Sequence, residues 1–386
     1  MIAEGLCNYS NMLALGERAP AEAARHPVQG FPGTERLATP FLVYALLHVP
    51  GEASNPWGAF WQMNVLLWLL SVFLAFRVAA LVFPDRCSPW FAAILVALYP
   101  ALTLTFNAIK QQTLGTTFLL FGMYLFEGGL NRAGVLFKIT ALAALMFLGQ
   151  FADGGWLFLA AFIFMRAWWM PGRERWTNIA CIGAAVAISE LWLAWLGIIY
   201  RLPSVAHARG FSFSGVLEES GRWLAAWAAG ADTSGHSFLN FPGGTFFSAY
   251  WPVICKGFLP IHAPLLAVAA AGLFIEPRSR MFAFLVAPML FVGHSGMIVA
   301  GWVFYYGYLS FPAAIMVIFS AAAVLGNLAG RKGVLPRIAA LAIAACACWA
   351  FTDLKKQAGI YYGAGPGYYR RDVQVHYGNE IGHVDY

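Results

Sequence analysis

Two ionisable residues interrupt long apolar stretches of this 386-residue chain, and their types could support chemistry. Glu190 lies within the apolar run 179–200, and His294 lies in the second half of the run 281–302. Ionisable groups inside an apolar span are costly and are functional candidates by default. A carboxylate can act as a general base, and a histidine can exchange a proton near neutral pH. The alternative for Glu190 is a purely structural ion pair between helices.

Four further charged residues flank apolar stretches. Lys110 and Asp153 occupy two short connections, and Arg201 and Lys256 lie near the two ends of the long polar stretch 201–259. If the helices close into a bundle, we expect several of these residues to converge on one outward-facing polar cavity. The alternative for each lysine is a side chain that extends to the membrane surface without a reactive role.

Composition identifies the kind of scaffold that must position these residues. Hydrophobic residues make up 60% of the chain and charged residues only 11%, whereas soluble domains carry about 25% charged residues. This scarcity of charge excludes an ordinary soluble enzyme, a disordered protein and a nucleic-acid-binding protein. It favours a membrane protein that crosses the bilayer several times.

Apolar segments of spanning or nearly spanning length recur along the chain, and a crossing helix needs about 17–25 residues. They are 59–82, 89–106, 113–126, 135–151, 154–169, 176–200, 260–275, 281–302, 305–326 and 335–351. The prediction is an all-α transmembrane bundle of about ten spans at 59–352, with an outward loop at 201–259. Residues 1–58 form an outward segment with an interfacial helix near 40–50, residues 214–230 form a second outward amphipathic helix, and 353–386 form an outward tail.

Basic residues alternate between the connections and orient the bundle. One set of connections and adjoining helix ends holds twelve of them: Arg77, Arg86, Arg132, Lys138, Arg166, Arg173, Arg175, Arg278, Arg280, Arg331, Lys332 and Arg337. The opposite short connections hold little beyond Lys110. Positive residues concentrate on the cytoplasmic side, so the candidate residues above should lie outside or in the outer half of the spans.

An outward N-terminal segment without a signal peptide is difficult to translocate. The segment contains several charges and no continuous apolar stretch of signal-peptide length. A span preceding Met1 would explain this. Alternatively, the N-terminal segment stays cytoplasmic and 40–50 is a strained first crossing.

Metal and disulfide chemistry are not predicted. The six cysteines form no CxxC pair and have no histidine at metal-ligand spacing. We therefore expect no metal site, and no cofactor is identified.

Several short motifs follow one another in the N-terminal third of the chain and again near its C-terminal end. They are EGLCNY at 4–9, RLATP at 36–40, QMN at 62–64, FPDR at 83–86, LYPA at 98–101, KQQT at 110–113, WVFYY at 302–306 and SFP at 310–312. This order resembles integral membrane glycosyltransferases of the GT-C fold, such as the dolichyl-phosphate-mannose-dependent protein mannosyltransferases. The likeness covers about 1–170 and 280–330.

The resemblance implies a polyprenyl-phosphate sugar as donor, and a glycan, lipid or protein outside the membrane as acceptor. Glu4 stands nearest the position of the family's catalytic acid, which is more often Asp and follows a first span that is not visible here. Tyr305 and Tyr306 occupy the place where the family frequently has an arginine. The implied phosphate-binding cations are Lys110, Lys256 and Arg201, and the implied supporting residues are Asp153, Glu190, His294 and Arg36. Tyr305 and Tyr306 would contact the sugar or anchor the interface.

Two other functions stay open. One is a transporter that uses Glu190, His294 and Lys256 as a relay inside the membrane. The other is a non-catalytic membrane subunit or a polysaccharide polymerase-like protein. In each case the membrane lipid is a partner and the predicted location is a bacterial cytoplasmic membrane.

Overall fold

A computed structural model of the chain consists of packed α-helices. It describes residues 56–98, 112–150, 155–200, 259–275, 277–299 and 311–352, together with positions 225, 228 and 229. The six longer ranges contain ten α-helices, one 3₁₀ helix at Leu130–Arg132, and no strand. The first five helices are α1 Pro56–Val82, α2 Ser88–Ala97, α3 Gln112–Glu127, α4 Val135–Gln150 and α5 Gly155–Trp168. The second five are α6 Gly172–Tyr200, α7 Leu259–Ile275, α8 Pro277–Val299, α9 Phe311–Gly330 and α10 Val334–Thr352.

The all-helical prediction is confirmed for the described residues. Two of these helices contain a segment long and apolar enough to cross a membrane, Val65–Val82 and Pro312–Gly330. The other apolar helical segments in the described ranges are shorter, between 10 and 17 residues. The bundle of about ten spans therefore stays a prediction.

Helix α9 forms the centre of the bundle. Every side chain from Pro312 to Gly326 is buried, and α9 packs against α2, α7, α8 and α10. Phe319 of α9 stacks on Phe282 of α8 with ring centroids 5.2 Å apart, and Phe83 lies 5.7 Å from Phe282. Aromatic contacts of this kind fix the packing of α8 and α9 against the end of α1.

The outer helices expose large apolar side chains. Phe73 of α1, Leu136 of α4, Leu191 of α6 and Trp349 of α10 are each more than half exposed. Soluble monomers rarely expose extended apolar surfaces, and such surfaces mark contacts with lipid or with another protein. The fold thus places apolar residues on both its inside and its outside.

At one end of the bundle, short turns join α1 to α2, α3 to α4, α5 to α6, α7 to α8 and α9 to α10. Polar contacts hold one helix pair against another at this end. Arg278, at the start of α8, donates through Nη1 to the carbonyl oxygen of Val82 at the end of α1, 2.5 Å away. Ser88, at the start of α2, donates to the carbonyl oxygen of Ala322 in α9. Arg166, at the end of α5, pairs with Glu127 at the end of α3. Odd-numbered helices therefore finish, and even-numbered helices begin, at this end.

All twelve basic residues singled out from the sequence lie at this end, each in a turn or within five residues of a helix terminus there. We call it the basic end, and the other the far end. This clustering agrees with the predicted alternation of charge. Lys138 differs from the other eleven in its environment, because the structure buries its side chain in the first turn of α4.

Candidate functional site

Most of the predicted reactive residues lie outside the described part of the chain. These are Glu4, Arg36, Lys110, Asp153, Arg201, Lys256, Tyr305 and Tyr306. The same is true of the predicted interfacial helix near 40–50 and of the tail 353–386. Of the loop 201–259, the structure describes positions 225, 228 and 229 and the final residue, Leu259, which begins α7. Their predicted roles stay predictions.

The described helix termini that adjoin these residues are at the far end. Gln112 begins α3, Gln150 ends α4, Tyr200 ends α6, Leu259 begins α7 and Phe311 begins α9. Each of these helices has its other terminus at the basic end. At 1.5 Å per residue, the shortest of them, with 16 residues, separates its two termini by about 24 Å.

Glu190 lies deep along α6. It is eighteen residues beyond Gly172, the first residue of the helix, or about 27 Å from the basic end. Its side chain is half-buried and takes part in an interaction with its surroundings. Among the acids in the described residues, Glu190 alone lies away from the basic end. Its predicted position in the outer half of a membrane span stays a prediction.

His294 occupies a comparable depth along α8. It is seventeen residues beyond Pro277, the first residue of that helix, which corresponds to about 26 Å; its side chain is outside the described part. Helix α5 packs against both α6 and α8, so Glu190 and His294 belong to two helices that share α5 as a neighbour. Pro288, which has no backbone N–H to donate within the helix, lies six residues before His294.

A buried lysine forms a polar cluster that the sequence did not reveal. Nζ of Lys138, which is 3% exposed, donates to the backbone oxygen of Asn131 and to Oδ1 of Asn178, each at 2.7 Å. Nδ2 of Asn178 donates to the backbone oxygen of Glu174 at 3.0 Å and approaches Sδ of Met170 at 3.1 Å. The cluster joins the first turn of α4 to the second turn of α6. Its only sequence signal was a lysine four residues into an apolar helix.

A second polar contact joins α3 and α5. Nε of Arg166 lies 2.6 Å from Oε1 of Glu127, and Nη2 donates to Oε2 at 3.3 Å. The side chain of Glu127 is only 6% exposed. A two-pronged arginine–carboxylate contact fixes geometry as well as charge, so this pair holds two helix ends in register.

A third set of polar contacts lies in the turn before α2, which packs against α9. Oδ1 of Asp85 accepts hydrogen bonds from the backbone N–H groups of Cys87 and Ser88, at 2.9 and 2.6 Å. A side-chain acceptor at a helix start satisfies N–H groups that have no partner within the helix. Gly326 of α9 lies directly against this turn, where an added Cβ would be 2.5 Å from Oδ1 of Asp85.

No metal centre is present among the described residues, since no group of three or more His, Cys, Asp or Glu side chains is placed to hold an ion. The four cysteines in the described ranges, Cys87, Cys181, Cys346 and Cys348, are free thiols.

Comparison with known proteins does not assign a family. No protein-family model matches the chain, and no curated protein matches it at a significant level.

Proposed function

We propose that this protein is an integral membrane glycosyltransferase that moves a sugar from a polyprenyl-phosphate donor to an acceptor outside the membrane. The observation that carries the proposal is the segregation of charge: all twelve basic residues in the described ranges lie at one end of the bundle. If that end faces the cytoplasm, the far end and the segments joined to it face outward, where polyprenyl-linked donors are used.

The second support is the location of the helix termini beside the proposed reactive residues. Lys110 precedes the start of α3 by two residues, Arg201 directly follows α6, and Lys256 precedes α7 by three residues. All three termini are at the far end. The three proposed phosphate-binding cations are thus attached to the same end of the bundle.

The proposed reaction uses one carboxylate and several cations. The Glu4 carboxylate takes the proton of an acceptor hydroxyl while the hydroxyl oxygen forms a bond to C1 of the sugar. The bond between C1 and the phosphate oxygen breaks, and polyprenyl phosphate leaves with that bond's electron pair. Lys110, Arg201 and Lys256 stabilise the negative charge on the departing phosphate.

The remaining proposed residues bind and position the substrates. Asp153, Glu190, His294 and Arg36 supply hydrogen bonds at the far end, and Tyr305 and Tyr306 contact the sugar or anchor the interface. The exposed apolar surface of α1, α4 and α10 lets the polyprenyl chain remain in the lipid. The acceptor is a glycan, a lipid or a protein, and the membrane is the bacterial cytoplasmic membrane.

The test is sugar transfer in membranes that contain the protein. Radiolabelled polyprenyl-phosphate mannose, glucose and arabinose are supplied in turn, and label in membrane acceptors is measured. Glu4→Gln should lower transfer about 100-fold or more, since a general base contributes 10²–10⁴-fold. Glu17→Gln, in the same N-terminal segment, is the matched control and should leave transfer unchanged. Full activity of Glu4→Gln would remove the catalytic assignment, and no transfer by the wild type from any donor would remove the proposal.

A proton-coupled transporter is the second candidate, favoured by the similar depths of Glu190 and His294 along two helices that both pack against α5. Proton flux into proteoliposomes, followed with a trapped pH-sensitive dye, distinguishes the two functions. A transporter should carry flux that Glu190→Gln abolishes and that Glu174→Gln, a change at the basic end of the same helix, leaves intact. A glycosyltransferase should carry no such flux.

A further inference from the structure

We propose that the turn between α5 and α6 is a binding site for the headgroup of an anionic phospholipid. This surface comprises Phe164, Trp168, Trp176, Arg173 and Arg175, and we call it the tryptophan–arginine turn. The proposal depends on the chain lying in a membrane but not on sugar transfer, because the turn is at the basic end.

Exposed aromatic rings form one continuous layer of this turn. The rings of Phe164 and Trp168 stack with centroids 6.5 Å apart, and Trp176 meets Trp168 edge to face at 6.3 Å. All three are exposed, Trp176 by 62%. Tryptophan is enriched at membrane interfaces because its ring is apolar and its N–H is polar. Three exposed rings in contact therefore indicate an interfacial position rather than a packing role.

The guanidinium group of Arg175 lies directly against this aromatic layer. Cζ of Arg175 is 5.3 Å from the centroid of the Trp168 ring, and its Nε donates to the backbone oxygen of Met170 at 3.1 Å. These contacts hold Arg175 in one orientation and leave its terminal nitrogens available. Arg173 is exposed and forms no ion pair with any acid in the described ranges. Arginine's planar donors match the oxygens of a phosphate.

The charge of the neighbouring turns also favours an anionic partner. The two turns that follow α3 and α5, together with the adjoining helix ends, carry five basic residues and two acidic ones: Arg132, Lys138, Arg166, Arg173 and Arg175 against Glu127 and Glu174. Glu127 is already paired with Arg166. Because Lys138 is buried, the charges open to a ligand are Arg132, Arg173 and Arg175 against Glu174, an excess of two positive charges. Arg173 and Arg175 belong to the tryptophan–arginine turn, and a lipid phosphate above its acyl chains would contact basic residues arranged beside exposed rings in this way.

The experiment measures lipid binding to the full chain in detergent by native mass spectrometry. Purified protein is titrated with phosphatidylglycerol or phosphatidylcholine, and bound lipid is counted. We expect the wild type to prefer phosphatidylglycerol. Each basic residue near an anionic lipid surface contributes a factor of about five in binding at low salt. Arg173→Gln should therefore weaken phosphatidylglycerol binding about fivefold. The double variant Arg173→Gln with Arg175→Gln should weaken it about 25-fold. Glu174→Gln should strengthen it about fivefold.

The control is Arg331→Gln with Lys332→Gln, which removes the same charge from the exposed turn between α9 and α10. Its binding of phosphatidylglycerol should stay within twofold of the wild type. Arg173→Gln also retains the Arg175–Met170 contact, so its fold is not at risk, and an unchanged melting temperature without lipid would verify this. Equal losses in the two double variants, no loss in either, or equal binding of both lipids would overturn the proposal.

Discussion

Lys138 and Asn178 meet inside the helix bundle, where Nζ of the lysine donates to Oδ1 of the asparagine over 2.7 Å. The lysine belongs to α4 and the asparagine to α6, so this hydrogen bond joins two helices that also pack against each other. Burial of the lysine side chain depends on both hydrogen bonds, because removing either partner leaves a buried polar group without a hydrogen bond.

Lys138→Met should therefore lower the free energy of unfolding by about 1–3 kcal/mol, the cost of leaving buried oxygens unsatisfied. Asn178→Leu should have a similar effect. The double variant should lose less than the sum of the two single losses, since it removes both partners. Denaturant unfolding of the protein in detergent measures all three, and strict additivity would show that the hydrogen bond does not couple the helices.

The Glu127–Arg166 pair should stabilise the ends of α3 and α5. Arg166→Gln removes two charge-assisted hydrogen bonds from a carboxylate that is 6% exposed, and should cost about 1.5–3 kcal/mol of unfolding free energy. Arg173→Gln is the matched control, because Arg173 is exposed, and should change stability by no more than about 0.5 kcal/mol. Equal effects of the two substitutions in thermal unfolding would count against a structural role for the pair.

Gly326 allows α9 to approach the start of α2. An added Cβ would overlap Oγ of Ser88 and come within 2.6 Å of its backbone nitrogen, so Gly326→Ala should destabilise the protein by about 1–3 kcal/mol. Gly183, in α6, has nothing within 4 Å of an added Cβ. Gly183→Ala should instead stabilise by about 0.5–1 kcal/mol, because alanine favours a helix. The two melting temperatures should thus move in opposite directions, and a rise for Gly326→Ala would refute the close-contact argument.

The positions of the helices and the clustering of basic residues at one end could be predicted from the sequence. Both depend on local patterns of apolar and charged residues. The apolar runs 59–82 and 176–200 correspond to α1 and α6 within a few residues. The alternation of basic residues between connections likewise predicted that residues as distant as Arg77 and Arg337 share one end of the bundle.

Partners across helices could not be predicted in this way. Nothing local to Lys138 indicates that Asn178, forty positions later, accepts its hydrogen bond. The contact of Ser88 with Ala322 spans 234 positions. Such contacts depend on which helix faces which, and the apolar periodicity of helices that are hydrophobic all round does not specify a facing side.

The orientation of the bundle is the property on which the proposed function depends most directly. Arg331→Cys and Gln112→Cys, each in a chain whose six native cysteines are replaced by alanine, place one thiol at the basic end and one at the far end. A membrane-impermeant maleimide is applied to bacterial spheroplasts and to inside-out vesicles. We predict that Gln112→Cys is labelled in spheroplasts and Arg331→Cys only in inside-out vesicles, whereas labelling of Arg331→Cys in spheroplasts would contradict an outward-facing site at the far end.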